Sequence, residues 1–117
     1  MKLMRMAMSW ILPVVVGLLF ITAGAVKFVG PAWPVNFARW GYPEHFYAVT
    51  GVIEVACGIA LVVPQLRLFA AVALAGVMVA AVLTASVHGE LRFARTAFVY
   101  LLLVLAIAWI HLRRSRA

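Results

Sequence analysis

Charged side chains in this chain are confined, with one exception, to the ends of four long apolar runs. No Asp, Glu, Lys or Arg occurs in residues 6–26, 68–89 or 96–112, and residues 46–66 hold only Glu54. The hydrocarbon core of a bilayer is about 30 Å thick and takes about 20 apolar residues to cross as a helix. A spanning segment must also satisfy its own backbone groups, which a helix does internally. Composition agrees: 68% of the residues are hydrophobic and mean hydropathy is +1.13, against an apolar share of about 45–50% in soluble domains. The sequence therefore predicts one all-α domain over residues 1–117, an integral membrane four-helix bundle with spans near 8–29, 45–63, 67–88 and 93–112.

Several function classes drop out at once. The single cysteine, Cys57, lies inside a span, so there is no CxxC redox or zinc pattern, and its expected role is packing. A formal charge of +7 could suggest nucleic acid, but the cations flank apolar runs and do not form a stripe. Lipid headgroups are the expected partner. The basic start MKLMRMAM, followed by an apolar run and Ala23-Gly24-Ala25, also has the form of a secretory signal, although the run exceeds the ~7–15 residues usual there.

Glu54 is the exception that needs explaining. A charge near the middle of a span costs about 2.5–3.5 kcal/mol on insertion scales and so faces protein or water, with a partner. Gly51 and Gly58 share its helical face, which a neighbouring helix can approach closely. Gly17 and Gly24 form a matching face on the first span, with Lys27 about 60° away around the helix. Lys27 ends the first span and leans inward, while Glu54 leans back toward the same side. Their depths differ by about 10 Å, a gap that two long side chains can close. Lys27 and Glu54 are thus predicted to line one polar pocket; the alternative for Lys27 is a boundary lysine snorkelling to the headgroups.

Residues 30–44, GPAWPVNFARWGYPE, interrupt the spans with three prolines and two glycines. Trp33, Phe37, Trp40 and Tyr42 are the ring types enriched at membrane interfaces. An interfacial aromatic loop is predicted, with up to two turns of helix over residues 34–40. It acts either as an anchor or as a cap over the polar mouth, the cap residues being Trp33, Trp40 and Tyr42.

On the third span Gly76, Ala80, Thr84 and His88 repeat every four residues and lead from small to polar. On the fourth, Tyr100 lies near the depth of Glu54 and can donate to it. The candidate pocket is therefore Lys27, Glu54, Thr84, His88 and Tyr100, with Gly24, Gly51 and Gly58 as close-packing positions. His45, His88, Glu90 and Cys57 lack metal-ligand spacing, so no metal is expected. Cations at the end shared by the termini (Lys2, Arg5, Arg67, Arg113, Arg114, Arg116) outnumber those at the other end (Lys27, Arg39, Arg92, Arg95). The positive-inside rule then makes both termini cytoplasmic and the pocket outward-facing.

Taken in order, Gly17-Leu18-Leu19-Phe20 leading to Gly24 and Lys27-Phe28, then Gly41-Tyr42-Pro43, Gly51-Val52-Ile53-Glu54 with Gly58, Arg67 and His88 resemble the DoxX and DoxX-like family of small four-helix membrane proteins. The resemblance covers about residues 10–110. It implies a bacterial inner-membrane protein and points to Lys27, Glu54 and His88. The family name comes from a subunit associated with thiosulfate:quinone oxidoreduction, and relatives include redox-complex partners and a receptor-assembly chaperone branch. The expected role is a binding or accessory subunit, not a complete enzyme alone. Its pocket would hold a small lipophile (a quinone or a lipid) or dock a partner membrane protein, and homo-oligomers are compatible with its small-residue faces. A quinone-facing subunit of a membrane oxidoreductase is the next reading, and a small proton-coupled transporter the third.

Overall fold

A computed structural model describes residues 2–116. The side chains of Arg5, Met6, Met8 and residues 114–116 fall outside the description, so the basic flanks at Arg5, Arg114 and Arg116 are known from sequence only. Five helices make up the described chain: α1 (Lys2–Val26), α2 (Ala32–Arg39), α3 (Phe46–Val62), α4 (Arg67–Val87) and α5 (Leu91–Arg116), with no strand among the described residues. Three stretches are long and apolar enough to cross a membrane, namely α1, α4 and Leu91–Arg113 of α5, while α3 has 17 residues.

Two features depart from the sequence reading. The helix count is five, where four spans were expected, and the helical turns expected over residues 34–40 are a helix, α2, that begins at Ala32 and ends at Arg39. Proline does not prevent this. Pro31 precedes α2 and Pro34 sits in its first turn, where backbone N–H groups have no intrahelical acceptor to lose. Glycines in the left-handed region set α2 apart from the spans on either side: Gly30 at φ 71° and Gly41 at φ 85°. At the far end of α3, Val63 is extended (φ −88°, ψ 113°) because Pro64 follows it and disfavours helical backbone.

The bundle is two hairpin-like pairs. α1 packs along α3 and α4 along α5, with thinner seams between α3 and α4 and between α1 and α5. Val16, Phe20, Leu61, Leu74, Val104 and Ile107 are fully buried where the pairs meet. The α1–α3 contact brings backbone onto backbone. A methyl group on Gly24 would lie 2.5 Å from the Gly51 carbonyl oxygen, and one on Gly17 would lie 2.6 Å from that of Gly58. These two meetings fix an antiparallel register along the whole interface.

Arg67, the first residue of α4, closes the end of the bundle nearest the termini. Although it is a cation, only 5% of it is exposed. Its Nε donates to the Leu61 carbonyl at 2.7 Å and its Nη2 to that of Val62 at 3.3 Å, capping α3. Its Nη1 reaches the Ser9 carbonyl of α1 at 3.3 Å, and the guanidinium lies 5.5 Å from the Trp10 ring centre. Helix-end carbonyls buried in apolar surroundings need such a partner.

The glycine contacts set the first test. Gly24→Ala forces α1 off α3 and should cost about 1–3 kcal/mol, as overpacking does. Gly76→Ala, whose added methyl meets nothing within 4 Å, should be neutral or stabilising by up to about 1 kcal/mol. Reversible unfolding in mixed micelles checks both; equal losses at the two positions would remove the close-contact argument.

Candidate functional site

With Gly24 opposite Gly51, the register sets Lys27 opposite Ala48. Glu54 then lies six residues further in, about 9 Å at 1.5 Å per residue. The two side chains together cover that distance, and Lys27 Nζ stands 2.8 Å from Glu54 Oε1. Both residues are buried, Lys27 to 5% and Glu54 to 2% exposure. The ammonium is also within 3.4 Å of the Ala23 carbonyl and 4.5 Å of the Trp33 ring centre. Its three N–H directions thus meet a carboxylate, a carbonyl and a π face. Snorkelling to the surface is not what this lysine does.

Beside the pair lies a cavity of about 390 Å³, lined by all five helices and by Tyr42 between α2 and α3. Its size is in the range of small-ligand sites, about 300–1,000 Å³. The walls are mostly apolar. Lys27 and Glu54 are the only charged side chains among the described lining residues, and Thr84 and Tyr100 also belong to the wall. Val49 and Ile53 of α3 line the cavity too and are 52% and 36% exposed.

The aromatic segment covers this cavity. Phe37 sits at the centre of a ring cluster, 5.5 Å from Trp40 and 5.4 Å from Tyr42. Tyr42 stacks on Phe46 at 4.9 Å, while Trp33 and Trp40 pack on Phe93 of α5 at 5.3 and 5.4 Å. Trp33, Phe37, Trp40 and Tyr42 all line the cavity. α2 is joined in sequence to α1 and α3, yet it is tied sideways to the other pair. Arg39 forms an ion pair with Glu90 in the α4–α5 turn, and the Tyr42 hydroxyl bonds the Thr84 hydroxyl of α4. Trp40 Nε1 is buried without a hydrogen-bond partner among the described residues.

Of the predicted pocket residues, Lys27, Glu54, Thr84 and Tyr100 come together, and Trp33, Trp40 and Tyr42 roof them. His88 does not join them. It is exposed, off the cavity wall, and its Nδ1 lies 2.8 Å from the Thr84 carbonyl at the end of α4. The same carbonyl accepts the His88 backbone N–H at 3.2 Å, so the ring folds back onto the helix end and not into the pocket. Tyr100 packs edge-on against Phe20 at 5.2 Å, and no hydrogen bond joins it to Glu54. Sequence reasoning missed Phe93 as part of the roof's support and the Arg39–Glu90 tie. Opposite charges in two connections at the same end were the available signal for the second.

The buried pair generates a double-mutant prediction. Losing one partner leaves an uncompensated charge and costs about 3–5 kcal/mol, whereas replacing both by apolar groups of similar size is much cheaper. Lys27→Met and Glu54→Met should each lower stability more than Lys27→Met/Glu54→Met does. Purely additive losses in micelle unfolding would show that the two charges do not depend on one another.

The sequence profile of the DoxX-like family matches residues 11–109. No curated protein and no solved structure matches the chain. The matched stretch runs from the third turn of α1 to near the end of α5 and includes the ion pair and the residues that line the cavity, so the chain belongs to the DoxX-like family.

Proposed function

We infer that this chain is a four-pass protein of the bacterial inner membrane that holds a small lipophile in the cavity beside Lys27 and Glu54, as a binding or accessory subunit and not a complete enzyme alone. The observation that carries the reading is an apolar cavity of about 390 Å³ with a buried ion pair in its wall and an aromatic helix over it. Packing alone does not call for that combination, since a buried ion pair is weak as a source of stability and a cavity forfeits dispersion contacts. In this reading α1, α3, α4 and α5 cross the membrane and α2 lies at its surface. A quinone or a lipid is the expected occupant, and a partner's helix the alternative. Proton-coupled export of cations is disfavoured, because Glu54 is already neutralised by Lys27.

Mass spectrometry of organic extracts from the purified protein tests the reading. A small molecule near one per chain is expected, and the filling substitution Ala81→Phe, made on the cavity wall, should expel it. Wild-type protein that carries no stoichiometric small molecule would sink the lipophile reading.

Orientation follows from the cation bias, with both termini in the cytoplasm and the roofed end outside. A cysteine placed after Ala117 in a Cys57→Ala background should resist a membrane-impermeant maleimide in intact cells and react once the membrane is opened. Labelling in intact cells would invert the topology.

A further inference from the structure

Resting on that lipophile reading, we propose that the cavity selects a neutral molecule bearing a hydrogen-bond acceptor, such as a ketone or ester oxygen, and that the hydroxyls of Tyr100 and of the Tyr42–Thr84 pair recognise it.

Charge comes first. Lys27 and Glu54 cancel, and no other charged side chain lines the cavity among the described residues. A cationic ligand would have to take Glu54 from Lys27, and an anionic one would have to take Lys27 from Glu54. Either exchange strands a buried charge. Lys27 has no N–H left to offer, because all three directions are met by Glu54, the Ala23 carbonyl and the Trp33 ring.

What remains is an excess of neutral donors. Thr50 gives its hydrogen to the Phe46 carbonyl and Thr96 gives its own to that of Arg92, so neither has one to spare. Tyr42 and Thr84 are bonded to each other, and either can be the donor. Two hydroxyls carry two hydrogens, and their mutual bond uses one. Whichever way that bond runs, one O–H is left over. The Tyr100 hydroxyl has no hydrogen-bond partner among the described residues, and this residue lines the cavity from α5, as Thr84 does from α4. Trp40 adds a buried N–H without an acceptor in the roof. A site with donors unmatched by protein acceptors is complementary to acceptor oxygens, and a ligand lacking them leaves those donors unpaired.

The test is a competition on nanodisc-embedded wild-type protein, read by native mass spectrometry, among four probes of similar chain length: dodecane, dodecyl methyl ketone, dodecanoate and dodecylammonium. Each probe's retention is divided by its partitioning into nanodiscs without protein. The ketone should be retained at least about tenfold over the other three, a ratio equal to one decade in Kd. In Tyr42→Phe/Thr84→Val/Tyr100→Phe, which keeps the rings and the β-branch, that preference should fall to the level of dodecane. Equal retention of dodecanoate or dodecylammonium overturns the selectivity and leaves the lipophile reading standing. Retention of dodecane equal to the ketone in wild type overturns the role of the hydroxyls. If no probe is retained, both readings fall.

Discussion

Backbone contact between α1 and α3 is the constraint on which the rest depends. Where Gly24 meets Gly51 and Gly17 meets Gly58 there is no side chain to separate the helices. Close approach of this kind is how helices associate where lipid tails are as apolar as the side chains and the hydrophobic effect cannot choose a partner. It also fixes register, and the register decides which residues share a depth. Lys27 reaches Glu54 because these glycines place it there. The pair in turn lies against the Trp33 ring, so the roof is tied to the charge beneath it.

Both ends of the bundle use a buried cation, in different ways. Arg67 spends its planar, fork-like guanidinium on backbone carbonyls from α3 and α1 and so acts as a structural clamp. Lys27, a point charge on a flexible stem, goes to a carboxylate, a carbonyl and a ring. The geometry of each head group suits its task, since a fork spans several acceptors and an ammonium serves a compact cage. One end is closed by packing, while the other retains a cavity.

The Lys27–Glu54 pair and the glycine faces were legible in the sequence because each rests on one-dimensional rules. Helical periodicity gives the face, rise per residue gives the depth, and the cost of a charge in hydrocarbon demands a partner. His88 was misplaced for a related reason. Periodicity put it in line with Thr84, but it lies at the end of α4, where its ring folds back onto the Thr84 carbonyl. The helical state of α2 was legible only in outline, since Pro31 and Pro34 read as breakers until their places before and within a first turn are known. The tie from α2 to the second helix pair, through Arg39 to Glu90 and Tyr42 to Thr84, joins residues far apart in sequence. No local rule reaches across such a distance.

The shortness of α3 carries a consequence for the surrounding membrane. Its 17 residues rise about 26 Å, against about 30 Å for average hydrocarbon thickness. If α3 crosses as proposed, the bilayer beside it must thin or the bundle must tilt, at a cost of fractions of a kcal/mol per Å of mismatch. α3 also carries Val49 and Ile53, exposed residues that line the cavity. In that reading the acyl-chain length of the host membrane bears on the helix that supplies Glu54 to the ion pair.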